Sequence, residues 1–239
     1  MIECRGLVKR FGKFEALKGV DIEVKRGEIF GLVGPNGAGK TTAVRILTGI
    51  MKPDAGSVKV LGMDITKDGE KIRKRIGYLP EEPHLYENLT PRELFEFFFD
   101  IYEVPKSERS ARFEKLISLV GLKERSDDRI EVFSKGMRHK LSFARCLLNN
   151  PEVLFLDEPT MGLDPATAIQ IRQYIASLKN NSHAILLCTH YMNEAELLCD
   201  QISFIINGKI VEAGTPKGLK SKYKVKDLDQ VFVRVLDKG

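Results

Sequence analysis

The sequence predicts an α/β fold with a mostly parallel core sheet, an antiparallel β flank and an inserted helical subdomain. Three observations lead there. Short Val/Ile-rich runs are followed by helical patterns, the alternation that builds a parallel sheet. The runs at 153–156 and 185–188 are almost wholly apolar, as strands covered on both faces must be. Between about Thr90 and Asn150 the pattern turns helical before strands resume. A chain of 239 residues is long enough for one large domain with an inserted lobe and a substantial core.

Taken in order, residues 2–24 and 57–61 alternate apolar and polar side chains and predict shorter strands, the antiparallel flank. Residues 29–33 are an apolar strand, 42–48 a helix, and 76–79 a further strand. Thr90-Pro91-Arg92-Glu93 is a capping box with proline at the first helical position. The Phe-rich stretch 94–102 follows. Phe113, Leu116, Ile117 and Val120 then recur at helical spacing, and residues 141–148 close the insert. Strands are predicted at 153–156, 185–188 and 202–206. Residues 220–238 are polar and basic apart from Val231-Phe232-Val233, and predict a small terminal appendage.

Composition narrows the class. Apolar residues make up 43% and charged residues 30%, ordinary for a globular protein. No apolar run approaches the roughly 18 residues of a spanning helix, and the N-terminus lacks a signal layout, so the expectation is a cytosolic chain. The four cysteines form no C-x-x-C pair and sit in or beside apolar stretches, which predicts buried reduced thiols. A net charge of +5 is compatible with nucleic acid or an anionic membrane face and selects neither. The basic clusters at 71–75 and 217–226 read as solvated faces.

Gly34-Pro35-Asn36-Gly37-Ala38-Gly39-Lys40-Thr41 fits G-x-x-x-x-G-K-[ST], between a predicted strand and a helix that Thr42 continues. Glycines let the backbone curl so that successive N–H groups face phosphate oxygens, and the helix adds its positive end. Lys40 would reach the β- and γ-phosphates and Thr41 would ligate Mg²⁺. Farther on, the apolar run 153–156 ends in Asp157-Glu158. A parallel strand delivers both carboxylates to the ligand-binding edge of the sheet: Asp157 to hold Mg²⁺, and Glu158 to polarise an attacking water. The plainer alternative is that both cap the helix after Pro159.

From residue 2 to about 214 the sequence resembles the ATP-binding cassette family of P-loop NTPases. Beyond the two motifs above, Phe133-Ser134-Lys135-Gly136-Met137 stands where the family carries Leu-Ser-Gly-Gly-Gln, in a form similar to export-type (ABC-2-like) subunits. Only Ser134 and Gly136 keep the usual residues, and Ser134 also reads as an N-cap. The resemblance makes residues 1–215 the nucleotide-binding domain, with a helical subdomain at about 86–150, and leaves 216–239 as the appendage. It implies that Phe11 stacks on adenine, the bland alternative being a core residue, and that His190 contacts the γ-phosphate. It also places Asp164, in Met161-Gly162-Leu163-Asp164, at a dimer interface. Two copies, or one copy and a homologous subunit, would join head to tail. Each ATP would lie between Lys40, Thr41, Asp157, Glu158 and His190 of one and Ser134 and Gly136 of the other. The helical subdomain would drive a separate transmembrane permease at the inner face of the cell membrane.

One position departs from the family. Glu81 stands where a Mg²⁺-touching glutamine is usual, and a carboxylate there suggests a direct or water-mediated metal contact. The rival reading is an ABC ATPase acting on nucleic acid or ribosomes. Such proteins usually carry two cassettes or a long coiled-coil insert, and this chain has one cassette with an insert of ordinary size. A module that binds ATP without turnover is a further rival, against which Glu158 and His190 both argue.

Overall fold

The computed structural model describes residues 1–179 and 183–236. Strands β1 (Ile2–Phe11), β2 (Phe14–Val24), β4 (Ala55–Val60) and β5 (Met63–Asp64) form an antiparallel sheet in the order β2-β1-β4-β5. Strands β3 (Ile29–Val33), β6 (Ile76–Leu79), β7 (Val153–Asp157), β8 (Ala184–Thr189), β9 (Gln201–Ile206) and β10 (Lys209–Gly214) form the second, in the order β10-β9-β3-β8-β7-β6. Every pairing in it is parallel except β10 with β9. The flank strands are not short: β1 has 10 residues and β2 has 11. Bulges between Cys4 and Leu7 and between Lys9 and Arg10 interrupt their alternation, which makes each long strand look like two short ones in sequence.

The period-2 rule sorts the core. Leu154, Leu156, Ile185 and Leu187 join the cluster on one face of the parallel sheet, while Val153, Phe155, Leu186 and Cys188 join the cluster on the other. The second face is covered by α1 (Lys40–Leu47) and the antiparallel sheet. The first is covered by helices of the insert and the C-terminal half: α3 (Pro91–Ile101), α4 (Lys106–Leu119), α5 (Lys135–Cys146), α6 (Pro165–Lys179) and α7 (Met192–Leu198). The short α2 (Gly69–Arg73) packs Ile72 on the flank side.

The insert forms as its signals predict. Thr90 accepts from the Glu93 backbone and Glu93 reaches back to the Thr90 N–H, a complete capping box that stabilises such a helix by about 1 kcal/mol. Its third helix, α5, begins at Lys135 and ends at Cys146, six residues ahead of the expected start at Leu141. All four cysteines are buried free thiols.

Residues 216–236, the described part of the expected appendage, are packed on the domain. They fold into α8 (Pro216–Tyr223) and α9 (Leu228–Leu236), whose Leu219, Leu228, Val231 and Val235 enter the main core beside Phe204. The last three residues of the expected 216–239 segment lie outside the described residues. No helix among the described residues is long and apolar enough to cross a membrane.

Candidate nucleotide site

The loop between β3 and α1 has the shape its glycines allow. Gly39, the N-cap of α1, has φ +109, and a Cβ there would lie 2.8 Å from the Ala16 carbonyl oxygen. A Cβ on Gly34 would lie 2.2 Å from the Ile205 carbonyl. A cleft of about 380 Å³ opens over this loop. Phe11, Pro35, Asn36, Gly37, Gly39, Lys40, Thr41, Thr42, Glu81 and Glu158 all line it, as does Phe14, which sequence reasoning missed. Phe11 and Phe14 are paired at the end of the β1–β2 hairpin and are 48% and 62% exposed. Two exposed aromatics flanking Gly12-Lys13 were the available signal. Ala38, next to Gly39, is buried under the loop.

Lys40 is buried. Its ammonium donates to the carbonyls of Gly34 (2.7 Å) and Pro35 (3.2 Å) and lies 3.5 Å from Glu158 Oε1. In sequence parity Asp157 belongs with Val153 and Phe155, so β7 directs it to the α1 face, where Thr41 lies in the first turn. Both Asp157 carboxylate oxygens are buried without a hydrogen-bond partner. Burial, with the neighbouring carboxylates of Glu158 and Glu81, pushes its pKa up to about 6, although Thr41 and Lys40 pull it down. Such orphaned hard oxygens, with the Thr41 hydroxyl and the Glu81 carboxylate near enough to act on Asp157, fit a small divalent cation such as Mg²⁺.

Glu158 leaves the strand at φ +53, a left-handed conformation uncommon for a residue with a side chain. Its Oε1 lies 2.9 Å from His190 Nδ1 as well as near Lys40, while its Oε2 is buried and unpartnered. His190 follows directly after β8, in reach of the same cleft through Glu158.

Three expected site residues stand apart from this cleft. Ser134 is exposed at the N-cap of α5, where its Oγ accepts from the Met137 N–H at 3.2 Å, and Gly136 follows in the first turn. Asp164 caps α6, accepting from the Thr167 N–H (2.9 Å) and hydroxyl (2.6 Å). Those bonds hold its pKa down to about 2.

The fold and cleft agree with what comparison shows. The family described as ABC transporter matches residues 17–161. The fluoroquinolones export ATP-binding protein of Mycobacterium tuberculosis (strain CDC 1551 / Oshkosh) is 40% identical over 222 residues, 92% of this chain and 72% of that one. A solved ATP binding subunit of an ABC transporter superposes with a TM-score of 0.92 at 30% identity, covering 99% of both chains. An ATP-binding cassette solved as a dimer in a post-hydrolysis state with ADP and Pi gives 0.84 at 25% identity, over 90% of this chain and 98% of that one. The chain belongs to the ABC transporter family, as an ATP-binding, ATP-hydrolysing subunit with the P-loop NTPase fold.

Proposed function

We propose that this chain hydrolyses ATP through Glu158 and powers export by a separate transmembrane permease, working as a head-to-tail dimer. The observation that carries the reading is Glu158 itself, buried, left-handed in backbone, and held between Lys40 and His190. In the cleft, adenine stacks on Phe11 and the phosphates lie against the backbone of residues 34–39 and the start of α1 at Lys40, Thr41 and Thr42. Lys40 exchanges the carbonyls of Gly34 and Pro35 for phosphate oxygens, which frees Glu158. The unpartnered Oε2 of Glu158 then accepts a hydrogen bond from water and orients it in line with the γ-phosphorus, and His190 steadies the carboxylate. Thr41, Asp157 and Glu81 would hold Mg²⁺, which when bound would offset the phosphate charge.

Ser134 and Gly136 lie outside the cleft of their own copy, which supports their serving the site of a second copy across an interface that includes Asp164. The dimeric solved cassette and the exporter relative favour dimerisation and export. We place the subunit in the cytoplasm, held at the inner membrane face by its permease, with no nucleic-acid partner. Glu158→Gln keeps shape and hydrogen bonding but removes the charge. It binds Mg-ATP with unchanged affinity and loses roughly 10²-fold or more in turnover. Near-parental phosphate release by this variant would refute the assignment.

A further inference from the structure

The turn after β7 is tied down on three consecutive residues. The Glu158 N–H donates to the Cys188 carbonyl of β8 at 2.9 Å. The Thr160 hydroxyl donates to Glu194 Oε1 of α7 at 2.7 Å, and Glu194 is almost wholly buried. Between them, Pro159 has no N–H to contribute. Its carbonyl is met by Nε2 of His139, a buried residue of α5, at 3.0 Å. A carbonyl only accepts, so Nε2 carries the proton. Burial holds His139 below the usual histidine range, leaving a neutral ring whose single N–H is committed to this bond. The same helix meets the loop a second time, through Lys140 and Asp164 at 3.6 Å.

These ties surround a conformation that needs them. A left-handed backbone at a residue bearing a side chain costs on the order of 1 kcal/mol or more, and persists only where neighbours over-determine it. At φ +53, Glu158 turns its carboxylate toward Lys40 and His190 rather than continuing the strand's alternation. The peptide that follows Pro159 is the lever on that geometry, and His139 is the side chain that grips it.

We propose that His139 is a positioning residue for Glu158: its hydrogen bond to the Pro159 carbonyl keeps the glutamate carboxylate aimed into the ATP cleft. The inference rests on the reading of Glu158 as the water-activating residue. His139 is not among the residues lining the cleft, so it governs turnover and leaves nucleotide binding alone.

The experiment compares two substitutions of similar volume in the full chain. His139→Met fills the site without an N–H, whereas His139→Gln keeps a donor of similar reach. His139→Met lowers kcat about tenfold, the ~1.4 kcal/mol of one hydrogen bond, with KM for ATP unchanged; His139→Gln stays within about threefold of the parent. A parental kcat in His139→Met, or an equal loss in His139→Gln, overturns the proposal. Should His139→Met not fold, His139→Leu, which also lacks a donor, replaces it. The same kcat loss at unchanged KM supports the proposal, and a parental kcat overturns it. Glu158→Gln in the same assay separates the two levels. If it stays active, the assignment of Glu158 falls and the inference with it. If it is inactive beside a parental His139→Met, the inference alone falls.

Discussion

Asp157 ends β7 with both carboxylate oxygens buried and unpartnered, and burial lifts its pKa from the ordinary 3.8 to about 6. A carboxyl whose folded pKa exceeds its unfolded one destabilises the fold once ionised. That cost is fully present above about pH 6 and gone below about pH 4, on the order of 1–3 kcal/mol. Asp157→Asn removes the charge and keeps the shape. In chelator and without nucleotide at pH 7.5, its thermal midpoint therefore rises by about 3–6 °C, and the gain shrinks as pH falls from 6 toward 4. Its hydrolysis is lost. A lower midpoint than the parent at pH 7.5 would contradict this account of the carboxylate. Glu81 poses the complementary case, a half-buried carboxylate on the cleft beside an exposed neighbour, Glu82. Glu81→Gln should need more Mg²⁺ for half-maximal hydrolysis while Glu82→Gln does not. Identical Mg²⁺ curves for both variants and the parent would remove Glu81 from the metal site.

Among the elements, α3 divides its phenylalanines between two tasks. Leu94, Phe95 and Phe99 are buried in the core, whereas Phe97 is 43% exposed and lies 5.4 Å edge-on from the exposed ring of Tyr86. Phe98 is half-buried, with the Arg145 guanidinium 5.3 Å above its ring. This is apolar surface that a membrane partner can cover. Phe97→Ser should weaken co-purification with the permease and leave ATP hydrolysis intact; unchanged co-purification would free the patch of that role. Elements announced by local chemistry were legible in sequence: the phosphate loop by its glycine spacing, α3 by its capping box, β7 by an apolar run closing on two acids. Elements whose cause is tertiary were not. The bulges of β1 depend on what it pairs with, and the contacts of His139 and Glu194 with the turn after β7 join residues 20 and 34 positions apart. The burial of α9 was partly there to be read. Leu228, Val231 and Val235 keep helical spacing, but the lysines around them gave the segment the look of a solvated tail.

At the scale of the molecule, one parallel sheet brings β3, β7 and β8 side by side, so that Lys40, Asp157, Glu158 and His190 meet at one edge although the sequence separates them by up to 150 positions. Helix α5 carries Ser134 and Gly136 away from that edge, as the proposed sharing of the site between two copies requires. On the proposed function, Glu158 is the group whose loss stops the cycle with ATP between two copies. The direct measurement is the solution mass of Glu158→Gln with and without Mg-ATP. The expected result is twice the chain mass with Mg-ATP, with ATP retained uncleaved, and the single chain mass without it. A variant that stays at single mass with bound ATP, or that converts it to ADP at the parental rate, would contradict it.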